Sequence, residues 1–124
     1  MTSQERIPRG TASEVEALIP STEEELLARL GALAVGESLG FGPADMGRFV
    51  RVGRRWLETQ ADSLRDLLCE APTVLYARAV AAGDDAVLAT ALADVLLGVY
   101  GLPTAATAAL LLTRRGLDTL CSRV

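Results

Sequence analysis

The chain contains no histidine, no lysine and no asparagine, and the first two absences each remove a kind of chemistry. Without histidine there is no imidazole to act as a general base or metal ligand; without lysine there is no Schiff-base amine and no P-loop lysine. Cys69 and Cys121 lie 52 residues apart and cannot complete a zinc site by themselves. The sequence therefore predicts a protein that is not an enzyme and holds no cofactor and no metal.

Aromatic residues are also scarce, at 4%, although half of the residues are apolar. A core made from Leu, Ala and Val suits tightly packed helices better than sheets. The predicted fold class is all-α, a compact bundle of about five helices with a C-terminal antiparallel helical hairpin. We expect residues 1–20 to form a flexible tail and residues 21–124 to form a single α-helical domain.

The charged residues are twelve arginines against sixteen acids, a net charge of −4, which argues against a general polyanion binder. The N-terminal segment MTSQERIPRG lacks the apolar region of a secretory signal, so the expected location is the cytoplasm. There, Cys69 and Cys121 are expected to be free thiols that pack as small core residues. A disulfide between them would need an oxidising compartment and close approach. Missing lysine and asparagine beside abundant arginine, alanine and glycine is typical of a GC-rich bacterial genome.

Two helices can be placed from their end signals. Either Ser21 with Glu24 or Thr22 with Glu25 forms a capping box, and the helix that follows should end near Gly36. Pro43 suits the first turn of a longer helix, of about 28 residues or roughly 42 Å. Its apolar residues recur at spacings of three and four: Met46, Val50, Gly53, Leu57, Ala61, Leu64 and Leu68. This helix exceeds the roughly 35 Å diameter of a compact domain, so it bends near Gly53, protrudes, or packs against a second copy.

The run from Val95 to Thr113 holds nineteen residues without a charge, long enough for a transmembrane helix. Gly101 and Pro103 interrupt it, and Asp94 lies at its edge, which favours two helices folded onto each other in a core. A membrane-associated hairpin over residues 86–113, serving as an anchor or toxin-like element, stays open as an alternative. A helix-turn-helix that binds nucleic acid is a minor alternative, because PTAATAALLL offers no side chain that reads base edges.

The segment RFVRVGRRW is the candidate partner-binding site, with Arg48, Arg51, Arg54, Arg55 and Trp56. Cations in the first half of a helix oppose its dipole, and Arg51 repels Arg55 at a spacing of four. One interpretation is a solvated surface that Asp45, Glu58 and Asp62 neutralise. The other is a hot spot for an acidic partner helix, a phosphate group or a second copy of the chain. We expect a protein partner or self-association, with a homo-oligomer favoured and nucleic acid not favoured.

Asp94 and Arg114 form a second candidate, of a structural kind. If the chain turns at Gly101 and Leu102, Asp94 lies level with about residue 110, one turn from Arg114. A partly buried ion pair between them would fix the register of the hairpin more than it would stabilise it.

Several scattered segments carry a resemblance to a known group of proteins. These are Trp56, Cys69, ALAD (residues 91–94), Gly101 with Pro103, and RGLDTLC (residues 115–121). Over about residues 45–121 the chain resembles small uncharacterised α-helical proteins of bacterial conflict and anti-phage operons. The resemblance implies an adaptor or effector-associated role in a defence system and no catalysis, and it supplies no functional residues.

Overall fold

The computed structural model describes residues 10–36, 43–81 and 83–122, with the backbone alone at residues 43 and 44. The all-α prediction is confirmed for this part of the chain. Its helices are α1 Thr11–Leu18, α2 Glu23–Ala34, α3 Pro43–Leu68, α4 Pro72–Ala81, α5 Asp85–Leu96, α6 Leu102–Arg115 and α7 Leu117–Cys121. The described residues thus form seven helices where about five were predicted, because residues 11–18 are helical and Gly116 separates α7 from α6. Gly116 has φ of 93°, a left-handed conformation that favours glycine.

Local capping signals determine where α2 and α5 begin. The Thr22 hydroxyl accepts from the Glu25 amide at 3.1 Å, and the Glu25 carboxylate accepts from the Thr22 amide at 2.8 Å. This is the second of the two predicted capping boxes. Asp84 caps α5 by accepting from the Ala86 and Val87 amides at 3.1 and 3.3 Å.

Helices α2 and α3 touch through their backbones at two glycines. A Cβ atom on Gly31 would lie 2.0 Å from the Phe49 carbonyl oxygen, and one on Gly53 would lie 2.1 Å from the Leu27 carbonyl oxygen. Neither position has room for any side chain. This contact gives Gly53 a role in close packing against α2, which was not among the three outcomes that the sequence left open for the long helix.

Helix α6 is the centre of the core. Every residue from Ala105 to Thr113 is buried, and α6 packs against α1, α2, α5 and α7. A helix that is covered on all sides must satisfy its polar groups internally. The Thr107 and Thr113 hydroxyls do so by donating to the Pro103 and Ala109 carbonyls at 2.7 and 2.9 Å. Among the described helices, none combines the length and the apolar character needed to cross a membrane.

The prediction of a flexible tail over residues 1–20 is wrong for residues 11–18. These residues form α1, which packs against α5 and α6 with Thr11, Val15 and Leu18 buried. Val15 and Leu18 have helical spacing, but two residues are too few to reveal a helix among the polar and charged residues around them. Residues 1–9 lie outside the described part of the chain.

The expectation that Cys69 and Cys121 are free thiols is wrong in this structure. The two sulfurs form a disulfide, with Cα atoms 5.6 Å apart. Cys69 directly follows α3, and Cys121 ends α7, so the bond ties the last helix to the end of the longest one. An ion pair between Arg78 and Asp118 ties α7 to α4 as well. The expectation of free thiols rested on the cytoplasmic location, and the close approach that a disulfide needs arises only once the bundle is folded.

We predict that Gly53→Ala and Gly31→Ala each lower the free energy of unfolding by about 1–3 kcal/mol, because the new methyl group forces the two backbones apart. Helix propensity alone would instead raise the free energy of unfolding by about 0.5–1 kcal/mol, because alanine favours a helix more than glycine does. Gly47→Ala is the matched control and should stabilise the chain slightly. Gly47 is exposed on the same helix, and a Cβ atom there would have the Arg51 guanidinium as its nearest neighbour, at 3.8 Å. Denaturant unfolding measures all three variants. Equal stability of the Gly47 and Gly53 variants would contradict the close contact.

We predict that breaking the disulfide lowers the free energy of unfolding by about 2–4 kcal/mol, since the closed loop restricts the unfolded chain. Unfolding of the native chain with and without a thiol reductant measures this difference. The Cys69→Ser, Cys121→Ser double variant should match the reduced chain and should not respond to reductant. Alkylation of both cysteines in the untreated, folded chain would show that the bond is absent.

Candidate interaction surface on helix α3

Helix α3 has one buried face and one exposed face, and the exposed face is the candidate site. The buried side carries Phe49, Val50, Gly53, Leu57, Leu64 and Leu68, which pack into the core or against α2. This agrees with the predicted apolar stripe, with Met46 and Ala61 only partly buried. Phe49, which is 1% exposed, was missed by the sequence analysis, although it lies three residues after Met46 and so fits the same stripe.

The structure brings the four predicted arginines together. Arg48, Arg51, Arg54 and Arg55 are all exposed, and with Val52 and Glu58 they line one open depression of about 400 Å³. The Arg48 guanidinium lies 4.4 Å from the centre of the Phe49 ring, a cation–π contact that orders this side chain. The four cations therefore form one surface, which we call the arginine surface.

Among the described residues, no ion pair joins the arginine surface to Asp45, Glu58 or Asp62, the acids that one of the two interpretations has neutralise it. The ion pairs of the described residues join Arg29 to Glu14, Arg65 to Asp62, Arg78 to Asp118 and Arg115 to Glu23. Asp62 is thus engaged by Arg65 one turn away, and Glu58 shares the depression without pairing. Within the described part of the chain, the arginine surface keeps its four charges uncompensated at ion-pair distance.

Trp56 is not part of the arginine surface. Its side chain is half-buried and meets the Tyr100 ring edge to face, with centroids 5.2 Å apart. The Tyr100 hydroxyl donates to Gln60 at 2.8 Å, and burial raises the pKa of this hydroxyl above its ordinary value. Trp56 therefore holds the connection between α5 and α6 against α3, which is a structural role. Neighbouring positions in the sequence pointed to one hot spot, but consecutive helical residues face different directions.

The predicted pair of Asp94 and Arg114 is replaced by two separate contacts with the α1 region. The Thr11 hydroxyl at the start of α1 donates to Asp94, and the Arg114 guanidinium donates to the Ile19 and Ser21 carbonyls after α1 ends. Each of the two residues therefore contacts one end of α1. The sequence analysis predicted a flexible tail for the segment that forms α1, so α1 was not considered as a partner for Asp94 or Arg114.

Arg29 forms a polar connection that the sequence analysis did not identify. Glu25, four residues earlier on α2, is engaged in the cap of that helix, and the Arg29 guanidinium lies 3.6 Å from Glu14 of α1. Its Nε also donates to the Thr107 hydroxyl of α6 at 3.1 Å. One guanidinium thereby links three helices. No local spacing rule reveals a contact of this kind.

A second concavity, of about 330 Å³, lies between α3 and the segment from α6 to α7. Buried Leu57, Leu64 and Leu112 form part of its floor. Arg65 and Arg115 at its edge are held by Asp62 and Glu23. Across residues 10–36, 43–81 and 83–122, no group of three or more acidic or cysteine side chains is placed to hold a metal ion.

No family model, curated protein or solved structure matches this chain.

Proposed function

We propose that the protein is a non-catalytic interaction module, an adaptor or oligomerisation unit, that binds an acidic protein surface through Arg48, Arg51, Arg54 and Arg55. The observation that carries this proposal is the arginine surface itself. Four exposed cations, with no ion pair to any described residue, occupy one face of a helix in a chain whose net charge is −4. Arginine presents a planar fork of donors that matches carboxylates, so an acidic partner helix is the chemistry that this surface fits.

The resemblance to proteins of bacterial conflict operons supports a role in a defence or effector system and suggests where partners should be sought. Neighbouring gene products of such an operon are the first candidates.

The alternative function is a membrane-associated hairpin over residues 86–113, which does not require a spanning helix. The finer architecture that we propose for this region is the antiparallel C-terminal hairpin of a bundle with five principal helices. It is supported by the short connection between α5 and α6 and by their mutual packing. Much of α6 is buried in that packing, which favours the interaction module over the anchor. Resistance of the protein to carbonate extraction from membranes would favour the anchor.

The disulfide bears on the proposed location. Reducing pools keep thiols free in most cytoplasms, whereas disulfides persist in oxidising compartments. The expected cytoplasmic location and a lasting bond between Cys69 and Cys121 therefore make opposite demands. A non-reducing gel of cell fractions, alkylated at lysis, decides between them: free thiols in the cytosolic fraction support the cytoplasm, and bonded protein in another fraction supports an oxidising compartment.

We predict that the Arg51→Glu, Arg55→Glu double variant loses its partner in a pull-down from the native host, because it replaces two cations with two anions on an exposed face. The tagged native chain should capture an acidic protein, and nuclease treatment should not release it. The matched control, Arg51→Lys with Arg55→Lys, keeps the charge and should retain part of the capture. Helical circular dichroism should be the same in all three chains. Equal capture by the double-reversal variant would contradict the proposed function.

A further inference from the structure

The exposed face of α3 carries two charged clusters of opposite sign. Arg48, Arg51 and Arg55 lie in the first half of the helix, and Glu58, Asp62 and Asp66 lie in the second half, all six exposed. At about 3.6 residues per turn these six positions fall within roughly 80° around the helix axis. They are directly opposite the side that holds Phe49, Gly53 and Leu64. The outer face of α3 is therefore one stripe that changes from basic to acidic at its middle.

We infer that this stripe binds the same stripe of a second copy of the chain, with the two α3 helices antiparallel. In that arrangement Arg51 faces Asp62 and Arg55 faces Glu58. The position of Arg48, whose guanidinium contacts the Phe49 ring in the single chain, lies level with Asp66. The three pairs are centred within half a residue of one another, between residues 56 and 57, so one register satisfies all of them at once. A two-fold axis through that point repeats each pair, which makes the contact self-complementary.

The inner contacts of α3 leave this face accessible. Gly53 and Gly31 commit the opposite side of the helix to α2, and Asp62 is 92% exposed although it contacts Arg65. The attraction between two copies of this face is electrostatic, because charged residues outnumber apolar residues on it. Association should consequently be weak and should fall as salt rises, since ions screen exposed charges beyond about 10 Å at 0.1 M.

This inference specifies the partner of the proposed interaction surface and so rests on the proposed function. The test uses the purified chain alone, without host proteins, in sedimentation equilibrium at about 50 mM and about 500 mM salt. The native chain should dimerise at low salt, with a dissociation constant on the order of 0.1 mM, and should be monomeric at high salt. Arg51→Glu and Asp62→Arg should each weaken the dimer at least about tenfold, since each places like charges opposite one another. Glu70→Arg, a charge reversal of the same size as Asp62→Arg on an exposed residue after α3 ends, is the matched control and should change the constant far less.

A charge exchange identifies the register. When the Arg51→Glu chain is mixed with the Asp62→Arg chain, each altered residue meets an opposite charge, so a heterodimer should form although neither chain dimerises alone. The doubly substituted chain, Arg51→Glu with Asp62→Arg, should regain the homodimer. Circular dichroism verifies that every chain remains helical.

Two results would overturn the inference. One is a native chain that stays monomeric at low salt and millimolar concentration, and the other is a failure of the mixture and of the double variant to restore the dimer. If the chain is monomeric but the arginine-dependent pull-down succeeds, the interaction module stands and its partner is a different protein. If both experiments fail, the arginine surface is a solvated face and the proposed function fails with it.

Discussion

The backbone contact between α2 and α3 is the constraint on which the rest of the structure depends. Gly31 and Gly53 place each helix against a carbonyl oxygen of the other, with no space for a side chain between them. The glycine hydrogens that stand in place of Cβ point at those oxygens, the geometry of weak Cα–H···O bonds. This contact determines which side of α3 faces inward. It thereby determines that the arginine surface faces outward, together with Glu58, Asp62 and Asp66 in the second half of the helix.

A core poor in aromatic residues is filled by bringing helices close together. Helix α6 is suited to the central position because four alanines let its neighbours approach from several sides, while Leu110 and Leu111 fill the remaining volume. The helices around it are held in place by polar contacts at their ends. Arg29, Asp94 and Arg114 perform this task for α1, and the disulfide performs it for α7. Apolar packing supplies the centre of this fold, and directional contacts position its periphery.

The features that sequence predicted well are those determined by residues within one or two helical turns. Thr22 and Glu25, which cap α2, lie within four consecutive residues. The apolar stripe of α3 follows from helical spacing. The features it predicted poorly depend on which helices become neighbours. Asp94 was given Arg114 as a partner because α1 was not counted as a helix, and Trp56 was grouped with arginines that face another direction. The disulfide belongs to the same class, because it depends on where α7 docks.

The distribution of charge on α3 is difficult to explain by the stability of the helix alone. A helix is stabilised by acidic groups near its N-terminus and by basic groups near its C-terminus. Asp45 in the first turn and Arg65 in the last turn follow this order, but the exposed stripe between them reverses it, from Arg48 in the second turn to Asp66 in the last turn. The antiparallel second copy that we infer would change the balance, because it would bring its own acidic half to the basic half of the first helix and set the two helix dipoles in opposite directions. The order that is unfavourable within one chain is therefore the order that favours pairing between two.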